Sequence, residues 1–476
     1  MKTVEKGAFP DTRRFFFPVL CNQCADAPCV RICPTSALFK RRDGIVDLHG
    51  DSCIGCRACM EACPYDQLFI DPNTHTAEKC NFCANRVENK LLPACVSVCP
   101  TECRIFGDLD DPASEVARIV QREAFMVRKP EKGTGPKIFY LGAEESAIRP
   151  EAAVRPLYYR EGEVHLRPVG APDEDPASPA EPRVDYDVPH GKPWGIDMVL
   201  YLFMKAVSTG VMLVAALLWI LSAERTALTM LVAPALSLLF LAATTAVLIA
   251  DLERPARFYY ILTRPNWRSW LVWGTWFLVA HGAISTLWLG AGWLGGYAGE
   301  GVVSVLLAPA IVFATLATAY TGFLFAQGLG RDLWQGPHAA IHLIAQSGVA
   351  GAAVLLGINQ VFHVGSPDAS VVLAAVLFFS LLMHLMIVVF ENLLASSPTR
   401  HHELALHTIR RGAYAPLFWS VVIAAGGVLP LLLYLLAGAV SSGETAIVML
   451  MAVLALAGSA AWEYIWVEAG QSVPLS

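Results

Sequence analysis

Two hydropathy regimes divide the chain. From residue 194 onward, apolar residues run in eight long stretches, roughly 196–221, 227–250, 269–290, 301–324, 338–359, 369–393, 414–438 and 443–466. Each is long enough to cross a hydrocarbon layer, which takes about 20 apolar residues for about 30 Å. Eight crossings return the chain to the side it started from. Before residue 142 the apolar runs are short. Alternation at 44–48 and 67–70 predicts small strands bounded by turn residues, residues 114–124 read as a helix, and 137–140 as a strand after a Gly-Pro turn. Between the two lies a connector, 142–193, with eight prolines over 142–192 and an acidic, low-complexity core at 172–182. Proline removes backbone donors and disfavours helix and central strand, so an extended strap is expected, with short strands near 154–159 and 163–166. The pattern predicts a small α+β domain over 1–141, the strap over 142–193, and an all-α polytopic bundle of eight transmembrane helices over 194–476.

Composition sharpens the division. The chain is 55% apolar and 16% charged, too apolar for an ordinary soluble protein. Residues 1–193 hold 25 of the 35 Lys and Arg and 29 of the 41 Asp and Glu. With a formal net charge of −6, no nucleic-acid partner is expected. Lipid is the expected surround of the second half. Loops on the side shared with the N-terminal domain carry Lys192, Arg254, Arg257, Arg264, Arg268, Arg331, Arg400, Arg410 and Arg411, and the opposite loops carry Arg225. Positive charge near helix ends stays in the cytoplasm, which predicts a cell inner membrane protein with its first domain on the cytoplasmic side. Trp267, Trp270, Trp273 and Trp276, and Trp462 and Trp466, mark span ends as interfacial anchors.

All 13 cysteines fall between Cys21 and Cys103. Three runs each close with Cys-x3-Cys-Pro: Cys21, Cys24, Cys29, Cys33; then Cys53, Cys56, Cys59, Cys63; then Cys80, Cys83, Cys95, Cys99. The middle run has the bacterial ferredoxin spacing, in which three clustered thiolates hold one [4Fe–4S] cluster and the fourth reaches a neighbouring one. The expected swap puts Cys21, Cys24, Cys29 and Cys63 on one cluster and Cys53, Cys56, Cys59 and Cys33 on a second. Disulfides do not suit three Cys-Pro closures. A zinc site remains an alternative for the third run read alone. Arg13 and Arg14 before three phenylalanines superficially resemble a twin-arginine export signal, but Pro18 and Cys21 follow where an apolar segment would be needed.

Ionisable groups within the spans need a reason, because each costs about 2.5–3.5 kcal/mol on insertion scales. They are Lys205, His281, His342, His384, Glu391 and Glu463, with Asp251 and Arg254 at the mouth of the second span and His338 at the start of the fifth. Asp251, Arg254, His338, His342, Glu391 and Glu463 fall near the end facing the cysteine domain; Lys205, His281 and His384 fall deeper. A quinone fits this distribution: its carbonyl oxygens take hydrogen bonds and protons, and its tail takes an apolar slot. Haem ligation by the histidines is the competing use, and helix–helix hydrogen bonding the plain one. No nucleophile–base pair, molybdopterin site or nucleotide fingerprint is visible.

Residues 13–141 resemble the ferredoxin-type subunits of molybdopterin oxidoreductases (the NrfC, DmsB and polysulfide reductase B group), through the last two cysteine motifs and the CPT at 99–101 with IFGDLDDP at 105–112. Residues 194–466 resemble the eight-helix NrfD/polysulfide reductase C anchors, through DLERPARF at 251–258, SWLVWGTW at 269–276 and YTG at 320–322. The resemblance implies a fusion of two subunits that are usually separate. It implies a relay between [4Fe–4S] clusters and a quinone, working with a molybdopterin-type catalytic subunit or a multihaem cytochrome. A redox-driven proton-translocating subunit, with Lys205, His281, His384 and Glu391 as relay, and a passive membrane anchor are the alternatives. The soluble relatives have four cysteine motifs, and the first is not in this sequence. In the four-motif arrangement it pairs with the last, so a third cluster needs Cys99 turned inward or a ligand from another polypeptide; otherwise two clusters form. Cys103 is expected to pack against a cluster rather than ligate it.

Overall fold

A computed structural model of the chain describes residues 2–7, 10–149, 157–158, 167–168, 183–186, 191–222, 225–437 and 444–475. The cysteine domain is built from two similar halves. In each, a short helix carries the third cysteine of a run and ends just before the fourth, Pro28–Ile32 and Ala58–Ala62, and a two-stranded ribbon follows. The ribbons are Leu38–Lys40 with Val46–Leu48, and Phe69–Asp71 with Thr76–Glu78. Ile32, Ala37, Leu38, Val46, Ala58, Ala62 and Leu68 bury between the halves with the cysteines. A core this small leaves much of the order to bound metal.

The helix expected at 114–124 is Glu115–Arg122. The strand expected at 137–140 is shorter, Tyr140–Leu141, paired with Phe125–Met126. Its first residue and the turn before it bond the first cysteine loop instead: Lys137 N donates to Asn22 O (2.9 Å), Ala25 N to Gly135 O (2.8 Å) and Asp26 N to Thr134 O (3.0 Å). Of the strap strands, Leu157–Tyr158 lies inside the expected 154–159 and pairs with Arg167–Pro168; the expected 163–166 lies outside the described residues. The strap then returns to the first domain. Arg183–Tyr186 adds to Lys2–Lys6, which pairs with Arg13–Phe17, so the twin arginines stand on a strand.

Among the described residues eight helices are long and apolar enough to cross a membrane: Ile196–Leu221, Leu228–Ala250, Trp270–Leu294, Ala298–Ala326, Ala339–Phe362, Pro367–Leu394, Ala415–Leu436 and Thr445–Gln471. The first and fifth form the interior. They are 72% and 67% buried, against 22% for the second and seventh, and they pack on each other. Gly210 and Gly351 meet at that crossing, where a Cβ on either would strike the other's backbone. The last turn of the sixth span widens into a π-turn over Phe390–Leu394, a bulge that re-aims the side chains it carries.

Candidate functional site

The two cysteine halves enclose two cavities. One is lined by Cys21, Cys24, Cys29 and Cys63, the other by Cys33, Cys53, Cys56 and Cys59. Each has three cysteines from one run and the closing cysteine of the other, the exchange expected from the spacing. Apart from the sulfurs the walls are mainly apolar, with Ala27, Val46, Tyr65 and Leu68 around the first and Ala37, Leu38, Leu48 and Ile54 around the second. Among the described residues no three His, Cys, Asp or Glu side chains converge on a point as for a single ion. A cube with a thiolate at each of four corners suits such spread donors. Burial raises the Cys24 thiol to about 11 and the Cys56 and Cys63 thiols to about 12, so iron binding here must displace protons. The third run is different. Cys80 and Cys103 are exposed, Cys83, Cys95 and Cys99 half-buried, and the Cys99 and Cys103 sulfurs lie 3.5 Å apart.

Helix-end loops of the bundle clamp the cysteine domain. Arg57 donates to Glu253 (2.8 Å) and Asp251 (3.2 Å), Arg257 to the Gly50 and Cys53 carbonyls, Arg254 to the Thr74 carbonyl, and Asn266 to the Cys33 carbonyl (2.7 Å). Gly55 sits at φ +72° under Glu253, where a Cβ would come within 2.4 Å of that side chain. Fully buried Glu61, between Cys59 and Cys63, receives Arg331 at 2.5 Å. Burial raises the Glu61 carboxyl above its usual range, and Arg331 opposes that shift. Asp251 is likewise raised by burial and opposed by Arg57.

Beneath the clamp is a cavity of about 250 Å³. His338, His342, Gln346, Glu391, His402 and Asp332 face it as polar groups, and Leu343, Phe390, Leu406, Trp462 and Trp466 supply much of its apolar wall. His342 Nε2 lies 2.8 Å from His384 Nδ1 on the next span, and its Nδ1 lies 3.7 Å from the Glu391 carboxylate on the π-turn. His342 and His384 thus form a direct imidazole pair beside the cavity. A string of aromatic rings joins the cavity to the second cysteine set: Trp194 Nε1 donates to the Cys56 carbonyl (3.3 Å), Trp194 stacks on Trp334 at 5.6 Å, and Trp334 meets Trp466 at 6.1 Å.

Of the residues singled out in the sequence, His338, His342 and Glu391 line this cavity, and His384 backs it. Asp251 and Arg254 instead hold the domains together. Lys205 lies apart, donating to Thr321 and to Tyr201 at 3.5 Å, its ammonium about 5 Å from the Tyr201 and Tyr320 rings. His281 belongs to a third group with Ser237 (3.0 Å) and Ser208 (3.4 Å). The four residues expected to form one relay thus fall into three separate groups. Asp332, His402 and the Trp194–Trp334 pair were not singled out; a tryptophan just before the first span is the signal that marks the latter.

The paired thiol cavities on an eight-span bundle define a class, a membrane-bound iron–sulfur electron-transfer protein. Residues 187–474 match the family model described as polysulphide reductase, NrfD, and residues 12–109 match that of the 4Fe-4S dicluster domain. The chain belongs to the NrfD family and carries an iron–sulfur dicluster domain as well. Similar proteins include the B component of tetrathionate reductase from Salmonella typhimurium (45% identical over 149 residues, 31% of this chain and 60% of that one). Protein NrfC of Escherichia coli K12 is 43% identical over 141 residues, 29% and 63% of the two chains. The B component of polysulfide reductase from Wolinella succinogenes is 41% identical over 129 residues, 27% and 68%. The match spans about 60% of the length of the first two.

Proposed function

We propose that this chain relays electrons between its [4Fe–4S] clusters and a quinone bound in the cavity beneath them. One observation carries the reading: the cavity places donors and a carboxylate, His338, His342 and Glu391, against an apolar wall, and that wall connects through Trp466, Trp334 and Trp194 to the Cys56 loop. Cys21, Cys24, Cys29 and Cys63 hold one cluster, and Cys33, Cys53, Cys56 and Cys59 the second. Bound clusters supply one-electron storage and transfer. The residues of the chain do the rest. His342, held by His384, donates to a quinone carbonyl; Glu391 and His338 pass protons to and from it; the aromatic wall excludes water and takes the ring. Cys80, Cys83, Cys95 and Cys99 would hold a third cluster when a further ligand completes it. The relatives named as reductase components support a catalytic partner, of molybdopterin type or a multihaem cytochrome, docked on the cysteine domain. The division at residues 1–141, 142–193 and 194–476 belongs to the same reading.

The nine-to-one bias of basic side chains supports a cytoplasmic position for the cysteine domain. Arg254, Arg257, Arg264 and Arg331 also bond that domain directly, so their charge has a docking use besides. Protease cleavage of the connector in inverted but not in right-side-out vesicles is the expected result; the reverse would place the domain outside.

The site itself is tested by photolabelling with an azido-quinone. Label is expected on the segments 338–346 and 390–406. Label on 251–258, or none competed away by unmodified quinone, would refute the assignment. A second reading, proton translocation coupled to the relay, is favoured by Lys205 and Glu463, both buried in the bundle, with neither Glu463 oxygen partnered among the described residues. Lys205→Met then lowers protons moved per electron in liposomes while electron transfer continues; an unchanged ratio rules it out.

A further inference from the structure

Beside the first cysteine set lies a buried cation that docking and quinone chemistry leave unused. Arg128 is 1% exposed, with Nε and Nη1 lacking any hydrogen-bond partner among the described residues. No carboxylate there comes within ion-pairing distance of it. Its guanidinium stands over the ring of Tyr65 at 5.6 Å and that of Phe17 at 6.0 Å. Tyr65 is itself part of the cavity wall formed with Cys21, Cys24, Cys29 and Cys63, its hydroxyl fixed 2.6 Å from Thr134. The charge of Arg128 acts on the Tyr140, Cys63 and Tyr65 side chains and, less strongly, on the Asp66 carboxylate, which makes no direct ion pair with it. Burying a guanidinium that no carboxylate contacts directly is costly unless a nearer anion answers it. Four thiolates on a cluster are such an anion.

Resting on the cluster reading above, we propose that Arg128 is the counter-charge of the cluster held by Cys21, Cys24, Cys29 and Cys63, and that it sets that cluster's reduction potential above the other's. Reduction adds one electron, supplied by the redox partner or by quinol, and makes the cluster one charge more negative. A fixed cation in a dry setting favours that state, since net charge and surroundings set cluster potentials. Lys79, 8% exposed and bonded to the Val46 and Cys80 carbonyls, adds to the same side. The second set has cations too, but they are offset. Arg57 borders its cavity and is matched by Glu253 and Asp251, and Arg257, on the Cys53 carbonyl, is half-buried at the domain boundary. An electron would therefore rest on the Arg128 side, and the cluster whose loop touches Trp194 would be the transient one.

The test is an EPR-monitored redox titration of the purified, cluster-loaded full chain. Cys21→Ser and Cys56→Ser assign the two centres by the spectrum each alters. Arg128→Met is expected to lower the potential of the centre that Cys21→Ser alters, leave the other in place and keep iron at about 8 per chain, four per cluster; Arg128→Lys should stay close to the unsubstituted protein. Unmoved potentials at full iron, or a shift confined to the Cys56 centre, would overturn the proposal. Should Arg128→Met lose iron, the unsubstituted chain still decides: the higher-potential centre must be the one Cys21→Ser alters, and the opposite order refutes it. A chain that takes up no iron would instead defeat the cluster reading itself.

Discussion

Glu61 ties the two halves of the chain at a single atom pair. It sits on the helix between Cys59 and Cys63, fully buried, and its partner Arg331 lies just after the fourth span. Such a pair adds little over an apolar one, yet removing one member strands the other charge, at about 3–5 kcal/mol. Glu61→Gln is therefore expected to loosen the docked cysteine domain, seen as protease cleavage within residues 21–103 at lower urea. His401 makes a second residue-scale case. Burial, aided by Lys129, Arg331 and Lys132 and opposed by Asp332, pushes it down to about 3. A histidine with its folded value depressed adds stability that is present above its unfolded value of about 6.5 and is lost as pH falls toward the folded one. Unfolding followed between pH 7 and pH 3 should show this loss, and His401→Gln should flatten it.

At the scale of elements, the eight spans were legible because crossing a membrane demands a long apolar run that nothing else in a chain mimics. The grouping of cysteines from both runs about each cavity was legible because the spacing within a run is local. The cavity was legible in part. His338, His342 and Glu391 announced themselves as polar groups in apolar spans, but so did Asp251 and Lys205, which serve other ends. Polarity flags a need for a partner without saying which helix face supplies it. The π-turn that aims Glu391, and the return of residues 183–186 to the N-terminal strand, depend on contacts far apart in sequence. Helix-on-helix fit gives a further expectation. A Cβ at Gly470 would lie 2.2 Å from the Trp334 indole nitrogen, so Gly470→Ala should cost about 1–3 kcal/mol of overpacking and displace the aromatic string. A fall in thermal stability together with slower cluster-to-cavity electron transfer is the expected readout.

For the whole molecule, the covalent link matters less than the surface it brings together. Arg57, Glu253, Asn266, Arg257 and Lys132 join cysteine domain to bundle, the same two parts that the string from Cys56 to the cavity connects. On the proposed relay, docking and electron passage use one interface, and the positive loops that suggested membrane sidedness are also its clamps. The central claim is that electrons cross this interface to a quinone. Mixing the dithionite-reduced, cluster-loaded chain with a soluble quinone under anaerobic stopped flow tests it most directly. Cluster absorbance is expected to recover quickly, and to recover about 10²–10⁴-fold more slowly in His342→Ala or Glu391→Gln at unchanged iron content. Clusters that stay reduced with every quinone offered, or recover equally fast in both variants, would contradict it.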